Sequence, residues 1–578
     1  MMKMMKRNYW MLAFFVLVAG GNLLAQQKNF VEGAKNNRIV ANPLDLVYRF
    51  RPQDNYPARR EAADPVCEYF KGKYYLFASK SGGYWSSPDL ANWTYIPCTT
   101  ISIIEDYAPT VLALGDTLYY IASAKTTIYY TTNPDKDEWR VLENSQYEFG
   151  DTDPALFHDE ETGRVYLYYG CSNRSPIRGV ELLPSQGFKS ASEPVAVIDH
   201  HTELYGWEIP GEKNEKDEIG WNEGASMLKY KGKYYLQYAS PGTQFRIYAD
   251  GVYVGDSPLG PFKYVESNPF SIKPGGFIGG AGHGHTFQDK YGNYWHVATM
   301  KISIRHDFER RIGLFPVYFD EQGDMHAHTL WTDYPFVIPD RKTDFEKTNL
   351  SAGWHILSYH KKATASSLSE NAASAFDEHI ESMWAAATGN SGEWLQIDLG
   401  EKKRINAIQV NFADVGFTIR APHAPFNYQY YIEASDDAEH WTRIIDRTDN
   451  VKDAVHELLV LKKPLKSRYL RITNTKDLPG KFSLYDFRVF GKGTGKKPQQ
   501  ITGLTIRRNE ADPRRYSLSW DKQPNADGYI VNVSLPDGKT NQSIMVYDNQ
   551  YEGGIFNRDS EYRFSVDAFN ENGITKGK

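Results

Sequence analysis

At 578 residues the chain is longer than one hydrophobic core organises, and three domains are expected. Aromatic residues make up 14%, with 40 tyrosines, which favours strands. The formal net charge of −6, without a basic run or a recognition motif, argues against nucleic-acid binding.

Lys3, Lys6 and Arg7 precede an apolar segment from Trp10 to Ala19, and small residues lead to a cleavage point after Ala25. This pattern reads as a secretory signal peptide over 1–25, with no membrane span. It places the mature protein in the periplasm or outside the cell. Three cysteines, Cys67, Cys98 and Cys171, leave at least one thiol unpaired and supply no cysteine-ligated zinc site. Lying in or beside strand-like runs, they read as small buried hydrophobes.

Residues 38–340 write one pattern five times, from Asp64, Ala108, Asp153, Glu223 and Gly282. Each copy opens on polar or turn residues and passes through an apolar segment. It then turns at Gly or Gly-Asp and re-emerges as an aromatic run (YYLFAS, LYYIAS, VYLYYG, YYLQYAS, YWHVAT). Strand–turn–strand units repeated in this way predict an all-β, five-bladed β-propeller. In a propeller the innermost strands line a central channel, so equivalent positions of different blades converge. Three copies open on a carboxylate, Asp64, Asp153 and Glu223, and the fifth offers His283 in GHGH. Three acids and a histidine on one axis suit a hydrolase better than a packing solution. Asp151 is a rival two residues from Asp153, while Asp106 and Glu208 flank the motifs without an equivalent position.

After a polar linker at Pro339–Leu350, residues 352–492 carry KKATASS, SAFDEHIESMW, GEWLQIDLG, SRYLRITN and YDFRVFG, spaced as in a discoidin-like (factor 5/8 C-terminal type) β-sandwich. That resemblance implies either carbohydrate binding or bracing of the propeller. Asp377-Glu378 stands where Asp-Gly is usual in the calcium loop of such domains. A Gly/Lys-rich linker at Lys492–Gln500 leads to residues 499–578. There YSLSWDKQPNADGYIVNVS and SEYRFSVDAFNENG resemble a fibronectin type III domain, with Trp520 as its core residue.

The propeller motifs also resemble a family. ADPVCEYFKGKYYL at Ala63, DPALFHDEETG at Asp153, EGASMLKYKGKYYL at Glu223 and GHGHTFQDKYGNYWHV at Gly282 are similar to the signatures of glycoside hydrolase family 43. The resemblance spans all five copies in order. It implies an inverting hydrolase of α-L-arabinofuranosides or β-D-xylosides, with a galactosidase as the nearest alternative and a non-catalytic glycan-binding protein as an alternative of another class. It makes Asp64 the general base, Glu223 the general acid and Asp153 the carboxylate that tunes and holds the acid. Inversion needs two carboxyls roughly 6.5–9.5 Å apart, with water between base and sugar. His283 matches a histidine at the channel centre that contacts water or a calcium ion, and His285 stands in place of the usual serine. Tyr107, in DYAPT, takes the place of a tryptophan that packs on sugar, and Arg311 is the choice for a hydrogen bond to the substrate. The chemistry needs no cofactor. The chemistry leaves room for a structural calcium ion without requiring one, and an oligo- or polysaccharide substrate is the expected partner.

Overall fold

The computed structural model describes residues 38–51, 57–418, 426–537 and 540–577; the signal-peptide reading lies outside them. The described residues are almost entirely strands and turns, and none of their helices is long and apolar enough to cross a membrane.

Residues 63–327 form five antiparallel sheets of four or five strands; the first four strands of each follow chain order, and in the two five-stranded sheets the last strand pairs back onto the third. Their first strands are Ala63–Phe70, Thr110–Leu114, Ala155–Asp159, Glu223–Tyr230 and Gly279–Gln288. In every sheet the first two strands are the hairpin expected from the repeated pattern, closing for instance over Lys71-Gly72, both at positive φ. The aromatic runs supply the second strands. The first strands touch one another in sequence, and the fifth returns to the first, so the contacts close a circuit. Ile39–Val40 pairs with Phe336–Val337, and Leu44 N donates to Ile312 O, which ties the start of the region to its end.

In the second unit two long strands, Trp394–Phe412 and His456–Asn474, pair with each other and bend at shared register shifts. The third unit has a three-stranded and a four-stranded sheet, with Trp520 buried edge-on against Tyr529.

The units are not separated by solvent. One apolar cluster runs from Leu76, Trp85 and Trp295 into Trp384, Ile408 and Val489. A second runs from Trp207 and Tyr238 into Trp520 and Val531. Charged pairs reinforce the first junction. Arg60 Nε lies 2.7 Å from Asp414 and its Nη1 2.8 Å from Asp453, with the guanidinium fully buried. Tyr485 donates to Glu309 at 3.0 Å. Within the second unit Glu378 is bound through both oxygens by Arg488, and Asp377 accepts from Ser382 and from the His379 backbone N–H. Both carboxylates of that loop are engaged by protein groups.

Candidate active site

At or just before the head of the first four first strands, and midway along the fifth, one residue adopts the left-handed backbone region: Asp64 (φ 51°), Ala108 (41°), Asp153 (54°), Gly224 (60°) and His283 (45°). Such a conformation is costly for a residue with a Cβ, more so before proline as in Asp64-Pro65 and Asp153-Pro154, and it persists only where surroundings enforce it. Here side chains from a neighbouring strand receive the backbone N–H groups. Thr299 Oγ1 accepts from Asp64 (2.8 Å), Ser79 from Ala108 (2.7 Å), Ser123 from Asp153 (2.8 Å) and Asp250 from His283 (2.7 Å). In the fourth strand the position belongs to Gly224, and the acid sits one residue earlier. A Cβ on Gly224 would lie 2.5 Å from the His283 ring, so no side chain fits there.

The strand heads bring Asp64, Asp153, Glu223 and His283 together. Asp64 Oδ2 accepts from Ser79 at 2.5 Å, and its Oδ1 accepts from Arg310 Nη1 at 3.0 Å. His283 Nδ1 lies 3.4 Å from Asp64 Oδ1 and 3.7 Å from Asp153 Oδ2. Asp153 also accepts from Ser123 (3.3 Å) and from Gly224 N (3.4 Å). Glu223, more open than the two aspartates, accepts from Tyr248 on Oε1 at 2.5 Å and from Cys171 Sγ on Oε2 at 2.9 Å. Ligand-type atoms of Asp153, Cys171 and Glu223 all lie within 4.8 Å of one another.

These surroundings separate the two aspartates electrically. Burial alone would raise Asp64, but the charges of Arg310 and His283 and the Ser79 and Arg310 hydrogen bonds take it below the ordinary carboxylate range. Asp153 is pushed up to about 7, chiefly by burial and further by the charges of Glu223 and Asp64, against the pull of His283. Burial opposes the charging of His283, yet four carboxylates, Asp64 foremost, raise its pKa.

The Asp153 shift has a testable sign. The unfolded carboxyl titrates near 3.8 and the folded one near 7, so the folded state binds more protons between those values and this group's contribution to stability is lost as pH rises through 7. Asp153→Asn lacks that group. Its stability relative to wild type should therefore rise from pH 4.5 to 8, by up to about 3 kcal/mol, in paired denaturant titrations. A difference that stays constant with pH contradicts the shift.

Tyr107 is beside the cluster. Lys80 Nζ sits 3.9 Å above its ring, Phe308 meets it edge-on at 5.6 Å, and the Arg310 guanidinium lies 5.9 Å away. Arg311 is not in the pocket, which corrects the sequence-based expectation. Neighbours on a strand face opposite ways, so in Arg310–Phe319 the residue turned to Asp64 is Arg310. Arg311 points away and donates to His456 Nε2 at 2.8 Å and to the Arg60 carbonyl. His285 is also outside the cluster. Its Nδ1 accepts from Cys67 N at 3.4 Å, and burial takes its pKa down to about 4. Of the rival acids, Asp151 is exposed, Asp106 faces Lys125 at 3.7 Å, and Glu208 is buried against Tyr238 and the His201 backbone.

Sequence reasoning missed Arg310, Tyr248, Ser79 and Cys171. A signal for the last two was present: the aromatic runs lead to Ala78-Ser79, Ala122-Ser123, Gly170-Cys171, Ala239-Ser240 and Ala298-Thr299. Cys171 holds the place of a hydroxyl that serves the strand heads in other sheets.

Residues 57–325 match the profile of Glycosyl hydrolases family 43, and residues 362–486 match the F5/8 type C domain. The chain therefore carries a family 43 glycosyl hydrolase domain followed by an F5/8 type C domain. A β-D-galactofuranosidase of Aspergillus niger is 24% identical over 303 residues, covering 46% of this chain and 81% of the relative. A β-xylosidase of Xylanibacter ruminicola is 28% identical over 137 residues, 19% of this chain and 39% of the relative. Among solved structures, a thermostable family-43 glycoside hydrolase aligns with a TM-score of 0.42 at 21% identity, over 53% of this chain and all of that one.

Proposed function

We propose that the protein is an exported, inverting glycoside hydrolase that removes terminal α-L-arabinofuranosyl or β-D-xylosyl units from plant cell-wall glycans. The observation that carries the reading is the convergence of Asp64, Asp153 and Glu223 around His283 from three different first strands. On this reading residues 38–340 are a five-bladed β-propeller with the site at its axis, and the last unit is a fibronectin type III-like spacer.

Each residue then has a task. Asp64, kept ionised by Arg310, takes a proton from the water that attacks the anomeric carbon. Glu223 gives a proton to the departing glycosidic oxygen on the opposite side of the sugar. Asp153 holds the acid's surroundings in register through the Gly224 N–H and shares the charge of His283. Tyr107 and Phe308 offer apolar surface beside the base for one face of the sugar.

The galactofuranosidase relative favours a second substrate. A β-D-galactofuranoside has the ring configuration of an α-L-arabinofuranoside and differs by one hydroxymethyl group. The test is release of monosaccharide from arabinoxylan, arabinan and xylo-oligosaccharides, beside nitrophenyl α-L-arabinofuranoside, β-D-xyloside, β-D-galactofuranoside and β-D-galactopyranoside. The reading predicts turnover of a furanoside or xyloside, with the first-formed anomer inverted by NMR. A retained anomer, or calorimetric glycan binding without turnover, contradicts it.

A further inference from the structure

We propose that Cys171 is a proton relay that returns a proton to Glu223 from Asp153 between turnovers; the proposal rests on the hydrolytic reading of this site. The thiol lies within reach of both carboxyls. Its Sγ donates to Glu223 Oε2 at 2.9 Å, and the Asp153 carboxylate lies within 4.8 Å of the same group of atoms. The other Glu223 oxygen is taken by Tyr248, so Oε2 is the oxygen through which Cys171 exchanges a proton. Sulfur has both roles a relay needs, an S–H donor and an acceptor lone pair.

The surroundings keep the thiol protonated. Burial pushes its pKa far up, and the charges and hydrogen bonds of Glu223 and Asp153 add to that. A thiolate nucleophile or a free metal-binding thiolate is therefore not what this environment makes. Asp153, by contrast, retains a proton close to neutral pH.

The step balances without a co-reactant. After Glu223 has protonated the leaving group it is a carboxylate. The S–H proton moves to Glu223 Oε2, forming an O–H bond, while the O–H proton of Asp153 moves to Sγ and restores the thiol. Asp153 is left as a carboxylate. The proton that Asp64 took from the attacking water has a route to it through His283, whose Nδ1 faces both aspartates. No atom is oxidised or reduced.

The test compares wild type, Cys171→Ala and Cys171→Ser on an unactivated oligosaccharide and on the matching nitrophenyl glycoside, whose leaving group needs little proton assistance. The relay predicts that Cys171→Ala loses about tenfold or more in kcat on the oligosaccharide, and several-fold less on the nitrophenyl substrate. Cys171→Ser, which keeps a donor and acceptor, restores most of the loss. Equal losses on both substrates, or no restoration by serine, overturn the relay and leave the hydrolase standing. Silence of wild type on every glycan overturns both. Unfolding midpoints of the variants exclude a folding defect as the cause. As a readout that needs no variant at position 171, the infrared S–H band assigned to Cys171 should shift in Glu223→Gln; an unchanged band overturns the hydrogen bond on which the relay depends.

Discussion

Glu223→Gln is expected to lower kcat on unactivated oligosaccharides by about 10²–10⁴-fold, the range typical for removal of a general acid. KM should change little, because Gln keeps the size of the side chain and its single amide oxygen can still accept from Tyr248 or from Cys171, though not from both. The loss should shrink on nitrophenyl glycosides, where the leaving group departs without full protonation. Asp64→Asn provides the contrast. A base is required whatever the leaving group, so its loss should be similar on both substrate types. A Glu223→Gln enzyme that matches wild type on natural linkages removes Glu223 from the acid's role. An Asp64→Asn enzyme that recovers on nitrophenyl substrates exchanges the two assignments.

The largest effect on stability is expected at Arg60. Its guanidinium is fully buried at the junction of the hydrolase domain and the F5/8 type C domain, and it is held by Asp414 and Asp453. A buried ion pair adds little net stability against an apolar replacement, but removing a partner leaves a buried charge undercompensated; Asp414→Ala leaves Arg60 with Asp453 and costs up to about 3–5 kcal/mol. Asp414→Ala also deprives Tyr428 of its acceptor at 2.6 Å. The expected result is a fall in the unfolding midpoint of that order. The exposed pair Lys402–Asp436 is the control, and Asp436→Ala should cost less than about 1 kcal/mol. Equal effects of the two substitutions contradict the account of the junction.

How much of this was legible depends on whether the partners are local. The hairpins could be read because glycine turns and aromatic runs are adjacent in the chain. The acids could be read because a carboxylate heads the same pattern in several copies. The choice between Arg310 and Arg311 could not, because one residue of strand register decides which faces the site, and RRIG has no polar–apolar alternation to set that register. Tyr248 lies between strands, where no period applies. Cys171 was hidden by its type: read as a hydrophobe, it did not register as the thiol counterpart of Ser79 and Ser123. The Arg60 pairs join residues more than 350 positions apart, and no local pattern announces such a meeting.

Successive residues of two segments, 60–61 and 309–311, alternate between the site and the neighbouring domain. Arg60 faces Asp414 while Glu61 faces Arg310; Glu309 faces Tyr485, Arg310 faces Asp64 and Arg311 faces His456. The appended domain is therefore not an interchangeable cassette. A chimera that fuses the hydrolase to a different sandwich would leave Arg60, Arg311 and Glu309 without their partners in that sandwich, one peptide bond from Glu61 and Arg310, which stand beside Asp64. Grafting this catalytic domain elsewhere means carrying its receptor surface with it, and recombination within such a lineage is constrained to move the two domains as a single inheritance.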